Sequence, residues 1–463
     1  MHYLEIGELS SLLRSGATTA LELTTALLDR IERMDPRLGT YREVLRDAAT
    51  AEAERRDAEL RNGRDRGPLH GVPLAVKDLY AVAGVPTGAG TTVLAEAPAS
   101  RDSVVVARLR EAGAIILGTH QMSEGAFAAH HPLLRVPLNP WDPDLWVGAS
   151  SSGSAAATAA GLCYASLGSD TGGSIRFPSA ATGLTGLKPT WGRVPRTGTI
   201  EFAASLDSFG PLARSAADCA IVYDAVAGPD SGDPSSLLPT PVPLAPRADT
   251  ARADGVRIGV DPAFMDICDG PTTGVIRAAL EVLAGLGAEI VEVRLPDVER
   301  MIDDWTPACA VEASIAHADA YPAHADVYGE QLRELLELGH AMTAIEHETR
   351  LRRRRAFTAQ LAESLADVDL LAVQVTGIAA PRAAFLDAIG VGPEWRDLIM
   401  RATCPFNAAG VPSITLPGGA DANGAPIGFQ LVGKPLREDR AMQAAIAFQS
   451  VTEHHRRHPE PFL

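Results

Sequence analysis

The sequence predicts an α/β fold in which helices cover a central sheet. Two stretches of the 463-residue chain show the alternation that favours this architecture. In the first, apolar runs at 74–76 and 114–117 lie on either side of a helical pattern at 105–111. The second stretch repeats the order strand, helix, strand at 256–260, 275–286 and 290–293. Because strands that alternate with helices build layered α/β domains, we expect a sandwich of this kind.

Residues 1–65 are predicted to form an N-terminal helical segment. Thr19 and Glu22 have the spacing of a capping box at the start of a helix. Apolar residues then recur at helical intervals, at Leu23, Leu27, Ile31 and Met34. We expect the helix to end at Asp35-Pro36, because proline cannot donate a backbone hydrogen bond and clashes with the preceding turn.

The composition changes between residues 228 and 255, where Pro, Ser and Asp become frequent. Prolines stand at positions 229, 234, 239, 241, 243 and 246. Such a stretch is typical of a surface connection. Length alone would suggest about three domains.

Two Ser/Gly clusters carry the strongest chemical signal. The first begins at Gly148 and reads Gly-Ala-Ser-Ser-Ser-Gly-Ser, and the second reads Gly-Ser-Asp-Thr-Gly-Gly-Ser-Ile-Arg and ends at Arg176. Ser174 directly follows Gly172-Gly173, and glycines allow consecutive amides to converge on one point. A nucleophile beside such amides is what acyl transfer requires. A Ser/Gly-rich loop without catalytic function is the alternative interpretation.

The lysines suggest a general base. Of 41 basic residues, the only lysines are Lys77, Lys188 and Lys434. A lysine can lose its proton when it is buried, whereas arginine keeps its own. Lys77 ends the buried-strand pattern at 74–76, so it is the candidate base, with a partly exposed strand-end lysine as the alternative. Lys188 and Lys434 lie in turn-like settings and are interpreted as structural.

These motifs resemble the amidase signature hydrolases, which use a Ser–cis-Ser–Lys triad. The resemblance covers nearly the whole chain. Its motifs are, in order, His70-Gly71-Val72-Pro73 before Lys77, Asn139-Pro140-Trp141, Gly168 to Arg176, Gly186-Leu187-Lys188-Pro189-Thr190, Gly192-Arg193-Val194, Ser205-Leu206-Asp207, Gly210 to Arg214, Phe406-Asn407, Gly410-Val411-Pro412 and Pro426 to Gly433.

The resemblance implies one domain, 1–463, with the amidase signature fold. This fold is a large α/β/α sandwich with a central mixed, mostly parallel sheet covered by helices. Residues 66–227 would form the signature core, residues 228–255 the Pro-rich surface connection, and residues 256–463 the second half of the same sheet. The acyl pocket would draw on residues 121–127 and on the region after Val373.

The resemblance also implies a function for each site residue. Ser174 matches the nucleophile, Lys77 the base, and Ser150 the relay serine between them. The oxyanion hole would consist of backbone N–H groups, those of Thr171, Gly172, Gly173 and Ser174. Three residues would support the loop rather than react, namely Asp170, Arg176 and Ser151.

The first cluster departs from the family pattern, which usually reads Gly-Gly-Ser-Ser-Gly-Gly-Ser. This chain has Ala149 and Ser152 at two of the glycine positions. The relay serine is normally entered through a cis peptide, which here would be Ala149–Ser150. Ser150 is preferred because it precedes Ser174 by 24 residues, as the alignment requires. Ser151 is the second choice.

Composition agrees with a soluble enzyme of the cytoplasm. The formal net charge of −17 disfavours nucleic acid and anionic membranes as partners. Five cysteines without a CxxC pair suggest reduced thiols and no metal site. The chain shows neither a run of about 18 apolar residues nor a signal-peptide pattern. A homodimer is left open.

The resulting prediction is an amidohydrolase that needs no cofactor. It would cleave a small-molecule carboxylic amide to an acid plus ammonia or an amine, through an acyl-enzyme on Ser174. The alternative is the ammonia-supplying glutaminase component (the A component) of a glutamyl-tRNA(Gln) amidotransferase. That component usually carries Asp-Gly-x-Arg-Tyr-Gly, and the nearest Tyr-Gly here is Tyr328-Gly329. A non-enzymatic scaffold is a third interpretation, but an intact triad argues against it.

Overall fold

Eleven strands form one mixed sheet in the part of the chain that the structure describes. The structure is a computed structural model, and it describes residues 1–94, 97–236, 239–245 and 252–459. The strands are β1 (Tyr41–Val44), β2 (Pro73–Lys77), β3 (Ile115–His120), β4 (Ala165–Asp170), β5 (Thr185–Lys188), β6 (Ser208–Ala213), β7 (Arg257–Val260), β8 (Glu289–Glu292), β9 (Leu370–Gln374), β10 (Ser413–Ala420) and β11 (Pro426–Gly433). Their order across the sheet is β1-β3-β2-β4-β6-β5-β10-β11-β9-β7-β8.

Helices from the whole chain pack around this sheet. They are α1 (Ile6–Ser15), α2 (Ala20–Leu38), α3 (Arg46–Arg61), α4 (Val104–Glu111), α5 (Ser152–Ala159), α6 (Arg176–Thr182), α7 (Ala216–Val226), α8 (Pro262–Met265), α9 (Gly270–Gly285), α10 (Glu299–Ala316), α11 (Glu330–Ala341), α12 (Ala344–Ser364), α13 (Ala383–Ile389), α14 (Pro393–Trp395), α15 (Cys404–Ala408) and α16 (Glu438–Val451), with a π-helical turn at Arg396–Met400. Within the described residues, no helix has both the length and the apolar character needed to cross a bilayer.

The two predicted β-α-β units are confirmed. The first is β2-α4-β3 and the second is β7-α9-β8, and the two strands of each unit pair in parallel. Every residue of β2, β3 and β4 is buried. A strand is buried along its whole length when both faces of its sheet are covered, as the sandwich architecture requires.

The sheet is mixed, as expected, but the prediction that it is mostly parallel is wrong. Among the described strands, six pairings are antiparallel and four are parallel. The parallel pairings lie in two blocks, β3-β2-β4 and β9-β7-β8. Antiparallel strands join these blocks across the centre of the sheet, and β10 and β11 form a hairpin there, because a short turn can connect only antiparallel strands.

The N-terminal segment contains the helices α1, α2 and α3, and it also contains one strand, β1, which was not predicted. The capping box at the start of α2 is confirmed, with Glu22 N donating to Thr19 Oγ1 over 3.1 Å. The predicted end at Asp35-Pro36 is wrong, because α2 continues to Leu38. Pro36 lies in the last turn of the helix, and the Gly39 amide still donates to the Asp35 carbonyl over 2.8 Å.

The chain joins both parts of the sheet through the Pro-rich connection. In its described parts, 228–236, 239–245 and 252–255, this segment has neither helix nor strand. Residues 237–238 and 246–251 lie outside the described residues, among them the proline at position 246. On its two sides, β5 and β10 pair directly, so the sheet is continuous across the connection.

Strand ends at one edge of the sheet position the predicted site. β2 and β4 are parallel neighbours, so their carboxyl-terminal ends meet at the same edge. β2 ends at Lys77, and β4 ends at Asp170, which is paired with Ser208 of the antiparallel β6. The loops that follow β4 and precede α5 therefore lie next to the Lys77 side chain.

Candidate active site

Lys77 is enclosed by serine hydroxyls. Its side chain is 0% exposed, which excludes a partly exposed strand-end lysine. Lys77 Nζ lies 2.7 Å from Ser150 Oγ and 2.9 Å from Ser169 Oγ. Burial lowers the pKa of Lys77 to about 7, although Asp207 and Asp170 act in the opposite direction. The amine is therefore neutral in a large fraction of molecules near pH 7, and a neutral amine can accept a proton.

Ser150 and Ser151 differ in what they contact. The Ala149–Ser150 peptide is cis, in the conformation that the family pattern implies. Ser151 Oγ donates to the Ser169 carbonyl over 3.2 Å, and Ser151 N donates to the Ser174 carbonyl over 3.3 Å. Ser150 is thus the serine that reaches Lys77, and Ser151 ties its loop to β4 and to the segment that carries Ser174.

Ser174 lies at the boundary between this buried network and open space. It is partly exposed and lines a cavity of about 460 Å³. Within the described residues its hydroxyl forms no hydrogen bond, so the link from Ser174 Oγ to Ser150 Oγ is not made here. In ligand-free enzymes such contacts are often formed only when substrate binds.

The loop between β4 and α6 presents free backbone amides. The N–H groups of Thr171, Gly172 and Ser174 have no acceptor among the described residues. The Gly173 amide, which was also predicted to belong to the oxyanion hole, donates instead to Asp170 Oδ1 over 2.8 Å. A Cβ on Gly172 would lie 2.5 Å from the Trp305 ring, and a Cβ on Gly173 would overlap Phe177. The close packing of this loop therefore requires both glycines.

A buried ion pair fixes the same loop. The side chains of Asp170 and Arg176 are both 0% exposed, and Arg176 Nη2 donates to Asp170 Oδ1 over 2.9 Å. Asp170 also accepts the amides of Gly173 and Ile175, and Asn407 Nδ2 donates to it over 2.8 Å. Burial would raise the pKa of Asp170, but the Arg176 guanidinium holds it far below its usual range. Neither residue lines the cavity, in agreement with a supporting function.

The comparison with known proteins agrees with this geometry. The chain matches the family Amidase over residues 22–442. The chain belongs to the amidase family. The protein named "Putative amidase AmiD" of Mycobacterium tuberculosis is 44% identical over 456 residues, which are 98% of this amidase and 96% of that protein.

Two further relatives show the breadth of the family. The A component of the glutamyl-tRNA(Gln) amidotransferase of Halorhodospira halophila is 38% identical over 490 residues. The alignment covers 100% of both proteins. The solved structure of the peptide amidase from Stenotrophomonas maltophilia is similar with a TM-score of 0.85 at 30% identity, over 99% of both chains. The chain is accordingly a hydrolytic amidase with the fold of this family.

Four residues of the site were not assigned a function from the sequence. They are Ser169, Asp207, Trp305 and Asn407. Asp207 Oδ1 accepts the Thr171 hydroxyl over 2.5 Å, and burial raises the pKa of Asp207 to about 6. Trp305 Nε1 donates to the Thr171 carbonyl over 3.0 Å. Asp207 and Asn407 stand in motifs that carry the resemblance, whereas Trp305 lies on α10 without any sequence signal.

The other lysines show that burial alone does not define the base. Lys188 was predicted to lie in a turn, which is wrong, because it ends β5 and is fully buried. Its Nζ donates to the carbonyls of Pro189 and Val411, and burial lowers its pKa to about 7. Lys434 Nζ donates to the Ala366 carbonyl over 3.0 Å. Lys188 and Lys434 therefore bind backbone carbonyls, and Lys77 differs from both because its amine faces serine hydroxyls.

Only part of the cavity wall comes from the two segments that were predicted to form the acyl pocket. Residues 121–127 contribute Ala126 and Phe127, and the region after Val373 contributes residues between 391 and 400. Helix α10 adds a wall that was not expected. No cluster of three or more His, Cys, Asp or Glu residues suited to a metal ion occurs in the described part of the chain. All five cysteines are free thiols.

Ser152, which stands where the family pattern has a glycine, forms a hydrogen bond with a histidine. Ser152 is buried, and its Oγ lies 2.8 Å from His130 Nε2. Burial, followed by the charge of Lys77, lowers the pKa of His130 to about 4. The Ser152 hydroxyl is therefore hydrogen-bonded to the His130 imidazole.

Replacing Arg176 by leucine is expected to destabilise the fold by about 3–5 kcal/mol, because Asp170 would remain as an uncompensated buried charge. Urea unfolding of both proteins measures this difference. The matched control is Arg352→Leu, which removes an exposed i,i+4 pair with Glu348 and should change stability by no more than about 0.5 kcal/mol. Equal effects of the two substitutions would contradict the importance of the buried pair.

Proposed function

We propose that this amidase cleaves its substrate through an acyl-enzyme on Ser174, with Ser150 relaying a proton to Lys77. One observation supports this most strongly. A fully buried lysine amine with a lowered pKa lies 2.7 Å from the Ser150 hydroxyl, beside a partly exposed serine at a cavity. A nucleophile, a base and free amides then lie together, which is the arrangement that acyl transfer needs.

Acylation forms one bond and breaks another. Ser174 Oγ attacks the carbonyl carbon, its proton passes to Ser150 Oγ, and the Ser150 proton passes to neutral Lys77. The carbonyl oxygen becomes an oxyanion that the amides of Thr171, Gly172 and Ser174 can bind. The C–N bond then breaks as Ser150 donates a proton to the leaving nitrogen and regains one from Lys77. Ammonia or an amine leaves, and an ester remains on Ser174.

Deacylation reverses the proton path with water as the nucleophile. Water attacks the ester carbonyl and gives a proton to the same Ser150 and Lys77 pair. The C–O bond to Ser174 breaks, the serine regains its proton, and the carboxylic acid leaves. Loss of one amide that binds the oxyanion typically raises the activation barrier of such steps by about 3–4 kcal/mol.

We further propose that the enzyme works alone on small amides in the cytoplasm. Its similarity to the A component of an amidotransferase supports the alternative, a glutaminase that passes ammonia to a partner. Two observations favour the stand-alone enzyme. The identity to the protein named AmiD is higher, and the Asp-Gly-x-Arg-Tyr-Gly segment typical of that component does not occur in the sequence. The formal net charge of −17 also disfavours direct contact with a nucleic acid.

The purified protein is expected to release ammonia from simple primary amides without tRNA, ATP, metal or any partner protein. A chelator should leave the rate unchanged, because every step above uses only side chains, backbone amides and water. A coupled ammonia assay on several primary amides and on glutamine tests this. If the protein were inert on all of them and gained glutaminase activity only with the other amidotransferase components, the alternative would be correct.

A further inference from the structure

The cavity next to Ser174 is walled by aromatic rings. Six aromatic side chains of the described residues line it, namely Phe127, Trp146, Phe177, Phe202, Trp305 and Trp395. Its volume of about 460 Å³ falls within the range of small-molecule sites. A cavity of this size and composition can hold an apolar group that is attached to the reacting carbonyl.

The rings form two groups. In one group, Trp146 lies 5.7 Å from Phe177 and 5.7 Å, edge to face, from Trp395. In the other group, Phe202 lies 5.7 Å from Phe127 and 6.3 Å from Trp305. These are centroid distances at which aromatic rings attract one another, and a further ring placed among them would find both faces and edges to contact.

Each charged residue at this cavity is paired with a residue of opposite charge. Asp303 and Arg396 are the charged residues among the described lining, and Arg396 Nη1 donates to Asp303 Oδ1 over 2.8 Å. Arg396 Nη2 also lies 3.0 Å from Glu299 and 3.1 Å from Asp397, and Glu299 pairs with Arg401. The cluster thus holds three carboxylates and two guanidinium groups. No unpaired charge in it can receive the carboxylate of a substrate.

We infer that the substrate is an uncharged carboxamide whose acyl group carries an aromatic ring. This inference rests on the proposed function, because the cavity matters for catalysis only if Ser174 is the nucleophile. An aromatic acyl group would be buried among the six rings, and its burial removes apolar surface from water. Glutamine would bring a carboxylate into a cavity whose two guanidinium groups are already paired, and an unpaired charge is costly to bury.

A matched series of primary amides tests the substrate class. Ammonia release is measured for acetamide, phenylacetamide, cyclohexylacetamide, 4-carboxyphenylacetamide and glutamine. We expect kcat/KM for phenylacetamide to exceed that for acetamide by at least ~100-fold and that for the carboxylate analogue by at least ~10-fold. Cyclohexylacetamide should be slower than phenylacetamide, and glutamine should be among the poorest substrates. Equal values for phenylacetamide and any of these four amides would overturn the inference.

A variant in the wall gives a second test. Trp395→Leu removes one ring and keeps an apolar side chain, so kcat/KM for phenylacetamide should fall by at least ~10-fold. The value for acetamide should fall less, so that the ratio of kcat/KM for phenylacetamide to that for acetamide decreases several-fold. The control is Phe385→Leu, an aromatic residue on α13 that is 36% exposed and does not line the cavity. An equal decrease of kcat/KM for both substrates in Trp395→Leu would overturn the inference. If this variant does not fold, the series of amides alone decides.

Failure of the inference can be told apart from failure of the proposed function. A fluorophosphonate reacts with an activated serine whatever the acyl preference of the enzyme. If the wild type is labelled at Ser174 and prefers alkyl or charged amides, the inference is wrong and the proposed function stands. If the wild type is neither labelled nor active on any amide of the series, the proposed function is wrong.

Discussion

Replacing Ser174 by alanine is expected to lower kcat/KM by at least ~10³-fold and to leave the fold intact. The substitution removes only the hydroxyl that attacks the carbonyl, and this hydroxyl forms no hydrogen bond that the described structure depends on. Free amides and the cavity remain, so a residual rate above that in water is expected. Steady-state ammonia release together with thermal unfolding separates loss of chemistry from loss of structure.

The neighbouring serines provide matched controls for this substitution. Ser151→Ala and Ser152→Ala each remove one buried hydroxyl within reach of the site, but neither hydroxyl contacts Lys77. Both variants should keep measurable activity. Full activity in Ser174→Ala would refute the assignment of the nucleophile, and inactive controls would show that the loop does not tolerate any loss of a hydroxyl.

Replacing Lys77 by either alanine or arginine is expected to abolish turnover. Arginine keeps the charge and much of the length of lysine, but it does not release its proton at ordinary pH and so cannot act as a base. In the wild type, Lys77 must be neutral to accept a proton, and its pKa of about 7 means that the protonated form dominates below that value. The kcat/KM of the wild type should therefore fall as the pH decreases through about 7.

The pH profile and one further variant check this assignment. Lys434→Arg changes a lysine that contacts only a backbone carbonyl, so its activity and pH profile should equal those of the wild type. An active Lys77→Arg enzyme would mean that Lys77 has a structural function. An acid-side profile without any decrease near pH 7 would contradict proton acceptance by this amine.

Local sequence patterns were sufficient to predict the outer parts of the fold. Each β-α-β unit has its apolar runs and its helical stripe within about 50 residues, and a parallel pair with its crossover helix follows from such a pattern. The Thr19 and Glu22 capping box was predictable for the same reason. Lys77, Ser150 and Ser174 stand in short motifs, and the structure brings Lys77 and Ser150 into contact from positions 73 residues apart.

Features that depend on distant packing could not be predicted. The centre of the sheet is antiparallel because β5 meets β10 from the other side of the connection, and no local pattern encodes that pairing. The Gly173 amide is taken by Asp170, whose orientation in turn depends on Arg176 and Asn407. Trp305 reaches the Thr171 carbonyl from α10, 134 residues away in the chain. Propensity and spacing contain no information on such contacts.

The central claim is that Ser174, activated through Ser150 and Lys77, is the nucleophile of this amidase. Reaction of the folded wild type with a fluorophosphonate, followed by intact mass measurement and peptide mapping, tests it most directly. We expect one adduct per chain, located on Ser174, and a large decrease in the labelling rate in Lys77→Ala. An adduct on Ser150, Ser151 or Ser152 in place of Ser174, or labelling that does not depend on Lys77, would contradict it.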